Sequence, residues 1–372
     1  MQYLLSSFYF FYFSIVGVYI IFMPKVLSEL GYSAVEIGII FGAAPLVRFI
    51  LPFLFVRGLE LSRRLFNIAL FVMLISSLSF YLSVHNFYAL LVSNVFLSMG
   101  LGLTLPFVEV IALESIGKER YGKIRLFGSL GFMLVALVLV KILSSEFVAL
   151  YFLLGLTSIT ALIAFVIAKE VHTKTQSKKE EVTNDINLFH DYKLWIGLIL
   201  MQVSFGAFYN FFTIYATNNG ISLDMTIYMW TFGVLVEVFM LFFQGRFLRG
   251  NLLVVLQVTI FASVIRWYLV FAYATNLEVL FFSQAIHALS FALFHTAAIS
   301  YLYQLYKHKS LAQQFFSGIT YGLGGLVGAL SAGYIYEYFA EYLFLSSAFI
   351  ALLSFVFITL WKKELKERKV SL

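Results

Sequence analysis

Seven residues of this sequence carry ionisable chemistry within otherwise apolar stretches: Glu109 and Glu237, Arg48, Arg125 and Arg266, and His287 and His295. A carboxylate beside an arginine stays charged while paired and takes a proton more readily when the arginine is engaged elsewhere. A histidine titrates near neutral pH. An arginine receives a carboxylate in a two-pronged, planar fashion. At membrane depth such side chains are costly, face a bundle interior or a water-filled cavity, and mark substrate and ion pathways. The competing reading is that they are structural interhelical pairs, and it weighs most for Arg48 and His295. Asn94 and Gln284 are further polar residues in apolar surroundings.

Helical spacing groups several of them. At about 100° per residue, Trp230, Glu237 and Gln244 share one stripe. Gln284, His287, Phe291 and His295 share an arc of about 80°. Thr259, Ser263, Arg266 and Tyr273 share a face. A polar stripe on an apolar helix points to a cavity or a partner helix. For Trp230 and Phe291 ordinary packing serves equally well, as it does for Tyr9, Phe10 and Phe13 near the N-terminus. Gly318, Gly322, Gly324, Gly325, Gly328 and Gly333 read as close helix packing rather than chemistry.

Other chemistries find no residues. The sequence has no cysteine, no phosphate-binding GxxxxGK[ST] loop and no nucleophile elbow. His287 and His295 would lie about 12 Å apart along a helix axis, too far for one metal ion. No cofactor and no metal are expected, and an enzyme is disfavoured.

The elements that must hold these residues are membrane helices. Of 372 residues, 62% are hydrophobic and 12% charged, with mean hydropathy +0.93. Soluble domains carry roughly 25% charged residues. That composition excludes a soluble globular enzyme, a disordered chain and a nucleic-acid-binding domain. The N-terminus lacks the basic region and cleavage site of a signal peptide, so the first apolar stretch reads as a retained helix. Spans are expected at about 3–24, 34–56, 65–84, 87–113, 121–143 and 147–168, then 194–216, 225–245, 251–272, 277–303, 311–335 and 342–361. Barrel strands would alternate polar and apolar residues, and these segments do not.

Loop charge orients the spans. With a cytoplasmic N-terminus, the cytoplasmic segments hold Arg57, Arg63, Arg64, Lys118, Arg120, Lys123, Lys169, Lys174, Lys178, Lys179, Lys193, Arg246, Arg249, Lys307 and Lys309, and the tail adds Lys362, Lys363, Lys366, Arg368 and Lys369. That is 20 of the 25 basic residues, against Lys25 and Lys141 on the other side. Both termini are therefore expected in the cytoplasm of a bacterial-type plasma (inner) membrane. The polar stretch 169–193 divides the chain into a six-helix bundle at 1–168 and another at 194–361, followed by a basic tail at 362–372. Parallel repeats of this kind bind substrate near the midplane. A faint repeat pairs Phe41-Gly42-Ala43-Ala44-Pro45-Leu46-Val47-Arg48 with Phe232-Gly233-Val234-Leu235-Val236-Glu237.

On these residues the chain resembles the branch of the major facilitator superfamily that holds lactose permease and the phenylpropionate permeases. Pro106-Phe107-Val108-Glu109 resembles the permease's Pro-x-x-Glu on its fourth helix. Tyr121 to Phe132, YGKIRLFGSLGF, resembles the run opening the fifth. The resemblance implies that Glu109 and Arg125 recognise substrate, that Phe132 stands where a sugar-stacking Trp sits, and that Glu237 contacts substrate. It implies a coupling network of Arg266 and His287, with Leu277-Glu278-Val279 between them. Ser290 stands where the permease has its proton-releasing Glu, a departure that argues against proton symport by the permease's own route. Glu237 or Glu109 is then the first choice of proton carrier, and His287 or His295 the second. His287-Ala288-Leu289-Ser290-Phe291 followed by His295, and Pro45-Leu46-Val47-Arg48, resemble the phenylpropionate group.

The expected protein is an all-α, twelve-helix secondary transporter of the major facilitator fold. It would act as a monomer with a small-molecule substrate, protons and the lipid bilayer as partners and no nucleic acid. Proton-coupled symport of a sugar, an aromatic acid or a nucleoside by alternating access is the first reading. Proton-driven efflux of amphipathic drugs is the second. A membrane-embedded enzyme or receptor-like sensor is the reading from another class.

Overall fold

Long apolar runs become helices because lipid cannot satisfy a free backbone group, and short polar caps decide where each run starts. In the computed structural model, residues 1–59, 62–170, 186 and 188–370 are described. The helices of the first half are α1 (Gln2–Glu29), α2 (Ala34–Val56), α3 (Arg63–Leu82), α4 (Phe87–Ile116), α5 (Lys118–Ile142) and α6 (Glu146–Glu170). Those of the second are α7 (Tyr192–Asn218), α8 (Leu223–Phe243), α9 (Leu252–Ala272), α10 (Leu277–Leu305), α11 (309–339) and α12 (Leu343–Val370). The chain forms two compact units, Met1–Lys179 and Glu180–Leu372. The boundary falls in the polar stretch 169–193, of which 171–185 and 187 lie outside the described residues.

Among the described residues eleven continuous helical runs, rather than twelve, are long and apolar enough to cross a membrane. The difference lies in the last, Lys309–Glu367, 59 residues long. At 1.5 Å per residue it would reach roughly 90 Å, about three times the hydrocarbon thickness. A 3₁₀ turn at Ala340–Tyr342 breaks it, and the packing shows that the chain reverses there. Along α7, Ile199 meets Gly324, Gly206 meets Gly328 and Phe211 stacks on Tyr336, so α11 runs parallel to α7. Gly197 meets Ile358 while Phe212 and Tyr215 meet Phe344, so α12 runs antiparallel to it. Among the described residues there are thus twelve crossing helices. The basic segment after 361 does not leave as a tail. Through Val370 it continues α12, with Lys193 pairing with Glu364 at 2.6 Å.

The internal repeat is clearer in the caps than in the sequence. Helix α1 ends on Gly31 (φ +91°) and α7 on Gly220 (φ +84°). In both, the amide after the glycine donates five residues back, Tyr32 to Leu27 and Ile221 to Ala216, as a left-handed helix end requires. The next residue, Ser33 or Ser222, then caps α2 or α8 with its hydroxyl. Asn86 and Asn276 cap α4 and α10 in the same way.

Glycine also sets how closely α1 meets α5 and α7 meets α11. A Cβ on Gly131 would sit 2.0 Å from the Phe10 carbonyl oxygen, and one on Gly206 2.2 Å from that of Gly328. Both obstacles are backbone and cannot rotate away. Gly206→Leu is expected to destabilise the protein by about 3 kcal/mol or more, read as a lower melting temperature in detergent. Gly155→Leu, where nothing lies within 4 Å, should leave melting unchanged.

At the start of α7, Asp191 is almost fully buried and receives the Tyr306 hydroxyl at 2.6 Å, while the Trp195 indole donates to Tyr306 at 3.1 Å. Burial, with the carboxylate it serves, holds the Tyr306 phenol well above its usual range. Tyr306 therefore remains a donor throughout the physiological range, fastening the end of α10 to the start of α7.

Candidate functional site

In each unit some of the candidate residues gather into a cluster. In the first, Arg125 and Glu109 face each other from α5 and α4, with Nε to Oε1 at 3.9 Å and both side chains about one-third exposed. That is one long contact rather than a paired fork. The Tyr121 hydroxyl, one turn before Arg125, donates to Glu109 Oε1 at 3.1 Å. The guanidinium lies over the Phe13 ring at 3.9 Å and the Tyr9 ring at 5.4 Å, a contact worth about 0.5–2 kcal/mol. Gly128 makes room for this stack, because a Cβ there would come within 2.9 Å of Arg125 Nη1 and 2.7 Å of Phe13. An arginine fixed by its face on aromatic rings and by Nε on a carboxylate keeps its Nη edge for a ligand.

The second cluster centres on Arg266 of α9, which is fully buried. Nη1 donates to His287 Nδ1 at 2.8 Å and Nη2 to Gln284 Oε1 at 2.8 Å; Ser290 lies 3.5 Å from Nη1. The rings of Phe208 and Trp267 cover the guanidinium at 4.3 and 4.4 Å. Arginine donates only, so His287 Nδ1 must be unprotonated, and the ring's proton sits on Nε2. Nε2 faces Glu237 Oε2 of α8 at 3.6 Å. Helix α8 approaches this point because Gly233, one turn before Glu237, lies against His287 and Gln284. A chain of contacts thus runs from guanidinium through imidazole to carboxylate. A π-helical turn at Ala288–Leu293 follows directly, the kind of irregularity common at functional sites.

The structure therefore brings Glu109 with Arg125, and Glu237 with His287, Arg266 and Gln284. His295 stands apart from the second group. Its Nδ1 meets the Tyr321 hydroxyl at 2.7 Å, and Phe291 lies beside both histidines, its ring parallel to His287 at 5.2 Å. Asn94 is fully buried and bonds to Tyr19 and the Ile40 carbonyl, tying α4 to α1 and α2. Phe132 lies seven residues beyond Arg125, with its backbone against Gly17; the rings over Arg125 are those of Tyr9 and Phe13.

Three expectations need correction. Arg48 is exposed, not buried; its place in an apolar run says nothing about which way that face of α2 turns. Tyr273 is 48% exposed, because α9 ends at Ala272 and Tyr273 has left the helical register. Gln244 leaves the Trp230 stripe, because a 3₁₀ turn begins there. Trp230 itself is packing: it lies against Phe208 at 4.3 Å and donates to Thr213.

Sequence reasoning missed Tyr121 and Tyr321 and left Tyr9 and Phe13 undecided. The usable signal was spacing, since Tyr9 and Phe13, like Tyr121 and Arg125, are one turn apart on one face. Among the described residues no group of three His, Asp or Glu side chains converges as a metal site would need.

Two six-helix units, each bringing an arginine and a carboxylate into one cluster within a largely apolar exterior, define a membrane transporter of the major facilitator type. The chain belongs to the MFS_1 like family, whose model matches residues 3–346. It is 25% identical to the "Probable 3-phenylpropionic acid transporter" of Escherichia coli (strain K12), over 92% of this chain and 93% of that one. It is 26% identical to the "Uncharacterized transporter YwbF" of Bacillus subtilis (strain 168), over 64% and 62% of the two chains. In fold it is similar to the nucleoside transporter NupG (TM-score 0.82, 17% identity, 97% and 99% covered) and to a D-xylose-proton symporter (TM-score 0.72, 12% identity, 95% and 96% covered).

Proposed function

We propose that the protein is a proton-coupled symporter of a small aromatic carboxylate, working by alternating access. The observation that carries this is the setting of Arg125: ringed by Phe13 and Tyr9 and held to Glu109 by a single 3.9 Å contact. An incoming carboxylate can take its Nη edge while an aromatic group packs on the same shelf. Glu109 also contacts substrate in this reading, and Phe132 and Glu237 complete the binding set. Glu237, His287, Arg266 and, through Tyr321, His295 couple the proton. The printed name of the E. coli relative favours an aromatic acid over a sugar or nucleoside. The charge bias of the loops favours both termini on the cytoplasmic side of a bacterial-type plasma membrane, and the protein is read as a monomer.

The test is a thermal-shift screen of the purified protein against aromatic acids, sugars and nucleosides, followed by uptake into vesicles. Aromatic monocarboxylates are expected to raise the melting temperature and to accumulate when the outside is acidified. Stabilisation by sugars or nucleosides alone would overturn the substrate class. Uptake indifferent to the proton gradient would overturn the coupling, and exchange against a proton would replace symport with efflux.

A further inference from the structure

Among the described residues four buried side-chain atoms have no hydrogen-bond partner: Tyr9 Oη, Gln244 Oε1, Arg266 Nε and Thr320 Oγ1. Buried polar atoms are nearly always paired, so each exception asks for a reason. Tyr9 has its reason beside Glu109. Its side chain is fully buried, and its ring meets the Tyr121 ring edge-on at 6.2 Å. Tyr121 spends its own proton on Glu109. The unpartnered hydroxyl thus stands directly behind the one that serves the carboxylate.

We infer that Glu109 carries a proton during transport, and that Tyr121 and Tyr9 form a reversible hydrogen-bond chain that stabilises both of its protonation states. The inference rests on the reading of Glu109 and Arg125 as substrate-binding residues. With Glu109 ionised, Tyr121 donates to it and Arg125 supplies the opposite charge. When a substrate carboxylate takes Arg125, Glu109 loses its counter-charge and takes a proton from water. The new carboxyl O–H then donates to the Tyr121 oxygen. Tyr121 must turn its own O–H elsewhere, and the Tyr9 oxygen is the acceptor in place. When substrate leaves, Arg125 returns and the proton departs by the reverse flip.

The other groups around Glu109 do not fill this role. Tyr12 of α1 lies within electrostatic range of Glu109, but its hydroxyl is committed to the Leu101 carbonyl. Arg48 of α2 acts on Tyr12, and Arg125 of α5 is the partner already described. Tyr9 and Tyr121 are positioning residues here, acting on the proton through Glu109.

The test is an infrared pH titration of the purified, substrate-free protein, following the carboxylic-acid band that disappears in Glu109→Gln. Tyr9→Phe removes the terminal acceptor and disfavours the protonated state. Its midpoint should fall by roughly 0.5–1 pH unit, the three- to tenfold that one neutral hydrogen bond supplies. Tyr121→Phe removes a donor from the carboxylate, a stronger charge-assisted bond, and its midpoint should rise. Tyr9→Phe keeps the packed ring and its shape, so its melting temperature should change little. A midpoint unmoved or raised in Tyr9→Phe would overturn the chain, whatever happens to stability. With no substrate present, this result stands apart from the uptake screen, in which the substrate reading succeeds or fails on its own.

Discussion

Arg125→Lys is expected to abolish the substrate-dependent thermal shift and to weaken substrate binding at least 30-fold, about 2 kcal/mol or more, while leaving the charge of the site unchanged. Lysine is a point charge on a flexible stem, whereas the guanidinium combines a flat face with a two-pronged edge. The face is used here against Phe13 at 3.9 Å, and the edge is what the substrate carboxylate requires. The measurement is calorimetric or fluorescence binding on purified protein, with melting of the empty protein as control. Because Arg125 is one-third exposed, the control should change little. If Arg125→Lys bound an aromatic acid as well as the parent, recognition would be simple charge attraction and the planar reading would fail.

Glu237→Gln is expected to keep binding and substrate exchange but to lose accumulation driven by a proton gradient. Glutamine is nearly isosteric with a protonated glutamate and cannot release its proton. The His287 Nε2–H still finds an acceptor in the amide oxygen, and Arg266 keeps its contacts with His287 and Gln284. The measurement compares uphill uptake in vesicles with exchange of labelled substrate at equal pH. Full proton-driven accumulation in the variant would remove Glu237 from the coupling step. Loss of both activities together would make its role structural.

Much of this was legible before any coordinates. Helix number follows from hydropathy, a property that depends on composition along the chain and hardly on packing. The association of Arg266 with Gln284 and His287 was foreshadowed by stripes on two helices and by the resemblance. What failed was rotation about a helix axis and the last turn of each helix. Arg48 sits in an apolar run but on an exposed face, which its apolar neighbours cannot reveal. Tyr273 and Gln244 fit an ideal 100° wheel only if the helix continues, and it ends or tightens just before each of them. Tyr121 was hidden for another reason. A tyrosine near a helix start is commonplace at a membrane interface, and only the 3.1 Å contact with Glu109 separates it from that background.

The placement of one carboxylate and one arginine in each unit has an electrical consequence. A monoanion that arrives with a single proton on Glu109 crosses without net charge, so only the pH difference drives it and membrane voltage does no work. A second proton on Glu237 makes each cycle carry one positive charge inward. At 100 mV that adds about 2.3 kcal/mol, roughly fifty-fold in the attainable concentration ratio. Whether transport generates current thus depends on how many of the two carboxylates, 128 residues apart in sequence, are loaded per turn.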